Sequence, residues 1–74
     1  MKPDGMKFFL CINNDGNSAS LEVGKVYRGS REGYEKGLKL LRIIDESGED
    51  YLYPADQFVA VQLPEAARNA LLRR

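Results

Sequence analysis

The sequence predicts a mainly β domain of five short strands followed by a short C-terminal helix. Three observations predict it. Apolar runs rich in aromatic and β-branched residues recur at 6–12, 21–28, 38–44, 50–53 and 58–62, each too short to be a typical helix. Clusters of Gly, Asn, Asp and Ser separate most of them. The apolar spacing becomes helical only around Pro64, where Leu63, Ala67, Ala70 and Leu71 fall on one face.

Taken in order, residues 1–5, Met-Lys-Pro-Asp-Gly, have no apolar pattern and are expected to be a disordered start, leaving 6–74 as one domain. The first strand is expected over 6–12, and Asn13-Asn14-Asp15-Gly16-Asn17-Ser18 reads as a loop. Residues 21–28 resume apolar alternation, with Gly24 marking a turn or bulge. Three glycines and four charges in residues 29–37 predict a long connection. Leu38-Lys39-Leu40-Leu41-Arg42-Ile43-Ile44 is apolar on both faces apart from its two cations, as a central strand would be. Asp45-Glu46-Ser47-Gly48 makes a tight turn, and Asp50-Tyr51-Leu52-Tyr53 returns antiparallel to it. Pro54 removes a ladder donor and ends that strand, 55–57 is the length of one 3₁₀ turn, and 58–62 is the last strand. A helix is expected near 64–73, with Arg73 and Arg74 at its negative end.

Composition narrows the chemistry. The 74 residues include no His, no Trp and one Cys, which removes the usual proton shuttle and the commonest metal ligand. A chain this short buries only about 60% of its unfolded surface, so any cleft is shallow. Cys11 lies among apolar neighbours and reads as a reduced, buried thiol, since only Lys7 is near enough to lower its pKa. The first apolar run, 8–12, is shorter than the roughly 7–15 residues of a signal-peptide core and the roughly 20 of a membrane span. A cytoplasmic protein is expected.

Leu52-Tyr53-Pro54-Ala55-Asp56-Gln57-Phe58-Val59, together with the diverging turn Leu21-Glu22-Val23-Gly24-Lys25-Val26, resembles the Src homology 3-like small barrels over roughly residues 6–62. The resemblance implies a closed five-stranded β-barrel with a 3₁₀ turn before the last strand. It departs from the peptide-binding members: Pro54 and Phe58 are separated by three residues rather than two, and the groove Trp and the Ala-Leu-Tyr-Asp-Tyr segment are missing. Recognition of proline-rich peptides needs that aromatic groove, so it is not expected. The chain is also similar to short uncharacterised bacterial proteins of this barrel type, a likeness that implies no activity.

Eleven basic residues balance eleven acidic ones, yet the signs are segregated. Residues 23–44 carry six basic and two acidic side chains, whereas 45–65 carry six acidic and none that are basic. Arg28, Arg31, Lys39 and Arg42 are therefore candidate nucleic-acid contacts, against the alternative that they pair across strands with the acidic hairpin. The glycine-punctuated basic stretch from Gly24 resembles KOW-type barrels, but its spacing departs from theirs, and only Tyr27 and Tyr34 interleave aromatics with the cations. Tyr51 and Tyr53 share one strand face with Leu52 turned to the core, so Tyr27, Tyr51, Tyr53 and Pro54 are the candidate protein-binding surface.

Asn13, Asp15 and Asn17 alternate as calcium ligands do, but the Gly is misplaced for such a loop. The carboxylates of 45–50 crowd a hairpin tip instead of forming a buried pair. No enzyme, cofactor or metal is expected. The expectation is a non-enzymatic interaction or assembly module, a monomer or weak homodimer with a protein partner. A nucleic-acid contact module is the alternative.

Overall fold

The computed structural model describes residues 7–35 and 37–73, with the backbone alone at Tyr34 and Glu35. The expected disordered start at 1–5, Met6 at the head of the first strand, and Arg74 lie outside the described residues.

Five antiparallel strands form one sheet: β1 (Lys7–Cys11), β2 (Val26–Glu35), β3 (Leu38–Ile44), β4 (Asp50–Pro54) and β5 (Phe58–Val61). The 3₁₀ turn spans Ala55–Gln57 and the helix α1 spans Glu65–Leu72. The strand order is β4-β3-β2-β1-β5, so the two strands flanking the 3₁₀ turn lie at opposite edges. In a flat sheet those edges would be about 19 Å apart, four spacings of about 4.8 Å, while the four residue steps from Pro54 to Phe58 reach about 14 Å at most. The sheet is therefore coiled, and the rings of Tyr53 and Phe58, from opposite edges, meet at 6.3 Å. No ladder joins β4 to β5 among the described residues, so the sheet is open where a closed barrel was expected.

Residues paired directly across strands share a face. Phe9 with Tyr27, Cys11 with Phe58, Gly29 with Ile43, and Leu41 with Tyr53 define the concave face. Its core is Phe9, Cys11, Leu21, Tyr27, Leu41, Ile43, Tyr53 and Phe58. Phe58 sits between two tyrosines, edge-on to Tyr27 at 6.3 Å and 88° and to Tyr53 at 62°. Such crossings favour the positive ring edge against the negative ring face.

The second strand differs from expectation at both ends. Residues 21–25 are not strand: they form the diverging turn, held by Gly24 N–H on the Cys11 carbonyl (2.8 Å) and Cys11 N–H on the Lys25 carbonyl (2.9 Å). Residues 29–35, expected to be a long connection, continue β2 instead, which makes β2 the central strand and leaves β3 second from the edge. Glycine signalled a loop here, but it serves two sheet functions. Gly33, at φ 98°, follows the bulge that shifts register after Arg31. Gly29 lets two backbones approach, because a Cβ there would collide with the Arg42 carbonyl oxygen and lie 2.8 Å from Ile43 Cδ1.

Helix α1 follows Pro64, whose φ of −58° suits the approach to a first turn, and Glu65 complements the positive helix end. Leu63, Ala67 and Leu71 are half-buried, whereas Ala70 faces out. The helix lies against the convex face, where Phe8 is buried and carries the Arg68 guanidinium 5.7 Å from its ring centroid. Phe8 is thus sheltered outside the main core.

Because the Gly29 contact is with backbone, Gly29→Ala is expected to cost about 1–3 kcal/mol. A urea melt checks this; an unchanged midpoint would show that β2 and β3 separate readily.

Candidate functional site

The concave face has an acidic end and a basic end. At the acidic end the β3–β4 turn presents Asp45 and Glu46 to two buried tyrosines. Tyr53 donates to Asp45 Oδ2 at 2.6 Å and lies 3.0 Å from Ser20 Oγ. Tyr27 donates to Glu46 Oε2 at 2.5 Å and accepts the Glu22 N–H at 2.8 Å. Lys25 Nζ lies 2.7 Å from the same Glu46 oxygen. Asp45 Oδ1 accepts from the Ser47 N–H at 2.9 Å and the Ser47 hydroxyl at 2.5 Å.

The charges follow from this arrangement. Burial pushes the Asp45 carboxyl up, but the donors on Ser47 and Tyr53 outweigh burial and hold it below the usual aspartate value. Burial, then the bond to a carboxylate, raises the phenols of both Tyr27 and Tyr53. These groups are engaged in holding the turn.

This arrangement corrects the expected tyrosine surface. Tyr27 and Tyr53 are 3% and 5% exposed, while Tyr51 is 52% exposed and Pro54 half-buried. Tyr51 and Tyr53 do share a strand face, but it is the concave one, and Leu52 is the residue turned outward, at 42% exposure. The register explains it: Tyr53 pairs with core residue Leu41, whereas Tyr51 lies nearer the hairpin tip and bonds exposed Glu49 at 3.1 Å.

The four basic candidates also separate. Arg42 is neutralised by Glu32 at 3.3 Å and Asp50 at 3.5 Å, the cross-strand pairing that was the alternative to a binding role. Arg28 lines a cleft of about 420 Å³ on the convex side that also holds Lys25, Asp45 and Glu46, so mixed charge surrounds it. Arg31 and Lys39 are different. Both are exposed and share the concave-face register with Leu41. Together they line a small cleft floored by Leu40, Leu41 and Ala55. Tyr34, the other aromatic of that stretch, pairs with Lys39 through its backbone, and its side chain is outside the described atoms.

Two cations that the sequence reading did not single out complete this end. Lys7 pairs with Gly29 in the same concave-face series, one strand over from Arg31, and Arg68 reaches in from α1. Lys7, Arg31 and Arg68 line a cleft of about 620 Å³ with Phe8, Ala60, Val61, Gln62 and Leu63, and no acidic residue lines it. The Arg31 guanidinium is 5.6 Å from the Phe9 ring centroid, as Arg68 is 5.7 Å from that of Phe8. Both distances are within cation–π range, which holds the planar groups in place. None of Lys7, Arg31, Lys39 and Arg68 forms an ion pair among the described residues. Period-two alternation from Phe9 and Cys11 would have put Lys7 on the concave face; the β1–β2 register, set across a long loop, was needed to bring it beside Arg31.

Among the described residues no group of three or more His, Cys, Asp or Glu is placed to hold a metal, and no helix is long and apolar enough to cross a membrane. The chain matches no protein-family model, no curated protein and no solved structure.

The Asp45 arrangement predicts the acid side of stability. A carboxyl depressed by folding contributes stability above its unfolded value near pH 4 and loses it as pH falls through the folded value. Asp45→Asn is expected to cost about 1–3 kcal/mol at pH 7 and to reduce the loss of stability between about pH 5 and pH 2. The raised phenols give the opposite sign, with stability falling as pH climbs past about 10. Denaturant melts across pH check both, and an acid limb of full size in Asp45→Asn would assign it to other carboxylates.

Proposed function

We propose that the chain is a non-enzymatic binding module on a Src homology 3-like small-barrel scaffold, and that it contacts nucleic acid through Arg31 and Lys39 together with Lys7 and Arg68. One observation carries this reading: Arg31 and Lys39 on the concave face, and Lys7 and Arg68 around a cleft that they share with Arg31, have no carboxylate paired to them among the described residues. Unpaired cations repel one another, and an incoming polyanion relieves that repulsion while releasing its own counterions. The neutral total charge does not oppose this, because Asp45, Glu46, Glu32 and Asp50 are bonded elsewhere and only Asp56 lines a cleft with Arg31 and Lys39. The carboxylates and phenols of the opposite end support the non-enzymatic half of the proposal, being bonded to one another.

A protein partner is the second reading, favoured by the exposure of Tyr51 and Leu52 on edge strand β4. Edge strands and amphipathic aromatics are both used at interfaces. Its association would tolerate salt and be damaged by Tyr51→Ala.

Titrating the labelled protein with mixed short single-stranded oligonucleotides tests the first reading. Amide shifts are expected at Lys7, Arg31, Lys39 and Arg68, with log affinity falling against log salt at a slope of about −3 if all four meet phosphates. Arg31→Glu should abolish binding and Arg42→Gln should leave it unchanged. Shifts confined to Tyr51 and Leu52, or binding indifferent to salt, would reject it.

A further inference from the structure

The two basic clefts differ in charge and lining. We propose that the larger one, bounded by β1, β5 and α1, is a site for the terminal phosphomonoester of a nucleic-acid strand, an inference that rests on the nucleic-acid reading above. Three cations, Lys7, Arg31 and Arg68, line this one cleft without an acidic residue. An internal phosphodiester brings a single negative charge, whereas a terminal phosphate with a second pKa near 6 brings almost two at neutral pH. Three cations around one cleft suit the dianion better.

The geometry of the arginines adds to the charge. Each guanidinium rests over a phenylalanine ring, Arg31 on Phe9 at the concave side of β1 and Arg68 on Phe8 at the convex side, so each planar donor is steadied on its own side of the cleft. Guanidinium forks match two phosphate oxygens at once, which a lysine does not. The remaining wall includes Phe8, Val61 and Leu63, and the cleft measures about 620 Å³. That apolar wall receives the terminal sugar and base. Arg31 lines the adjoining clefts with Lys39 as well, one of which also holds Asp56, so the next phosphate along the strand passes to Lys39 on the side floored by Leu40 and Leu41. The site therefore reads a strand end, with the chain continuing across β2 and β3.

Fluorescence anisotropy with one short oligonucleotide in three forms, 5′-phosphorylated, 3′-phosphorylated and hydroxyl-ended, tests this at fixed low salt. One phosphorylated form is expected to bind about tenfold tighter than the hydroxyl-ended one, the scale of an added charge-assisted contact. Arg68→Ala, and separately Lys7→Met, should weaken every form but erase the difference between them, so that phosphorylated and hydroxyl-ended strands bind the variant alike. Inorganic phosphate should compete only with the phosphorylated form. Equal affinity for all three forms overturns the end-site while the nucleic-acid reading stands. Absence of binding by every form overturns both, and equally tight binding of a phosphoserine peptide assigns the cleft to a protein ligand instead.

Discussion

The Asp45 carboxylate is buried in the turn between β3 and β4, and a buried charge is costly unless donors surround it. Here Ser47 and Tyr53 supply them, and the neighbouring Glu46 takes the Tyr27 hydroxyl and the Lys25 ammonium. The two tyrosines flank Phe58 edge-on, so one polar cluster fixes the hairpin turn, the centre of the aromatic core and the start of β5 together. The Ser20–Leu21 segment is drawn in too, since the Glu46 N–H donates to the Ser20 carbonyl at 3.1 Å. Much of the fold at this end follows from satisfying those two carboxylates.

Satisfying them also decides where the charges remain. The acids of the hairpin tip are used internally or paired with Lys25 and Arg42, which withdraws those two cations from any ligand. Around the other end of the sheet Lys7, Arg31, Lys39 and Arg68 have no such partners among the described residues. Gln57 secures the geometry between the ends: its amide donates to the Asp15 carbonyl at 3.0 Å and its oxygen accepts from Asn17 at 3.2 Å, which joins the 3₁₀ turn to the loop after β1. That loop then closes over the core instead of over the basic clefts.

Where local chemistry decides conformation, the sequence could be read directly. β3 over Leu38–Ile44, the turn ending at Gly48 and the 3₁₀ turn at Ala55–Gln57 all match, because alternation, a left-handed glycine and a proline act within a few residues. Glycines 29 and 33 were misread because their roles are tertiary: one admits the β3 backbone and the other follows a bulge. The tyrosines were misplaced for a related reason. Period two put Tyr51 and Tyr53 on one face, but which face is the core depends on pairing with Leu41 and Ile43. Of the basic residues, Arg31 and Lys39 were legible as a charged stretch, whereas Lys7 and Arg68 join them only through sheet register and the docking of α1.

A crystal structure of the protein with a short 5′-phosphorylated oligonucleotide tests the account most directly. The strand is expected across Arg31 and Lys39, with its terminal phosphate in the cleft lined by Lys7, Arg31 and Arg68, and Asp45 and Glu46 still bonded to their tyrosines. A strand lying across the convex face on Arg28 and Arg42, with the Arg42 ion pairs broken, would contradict it.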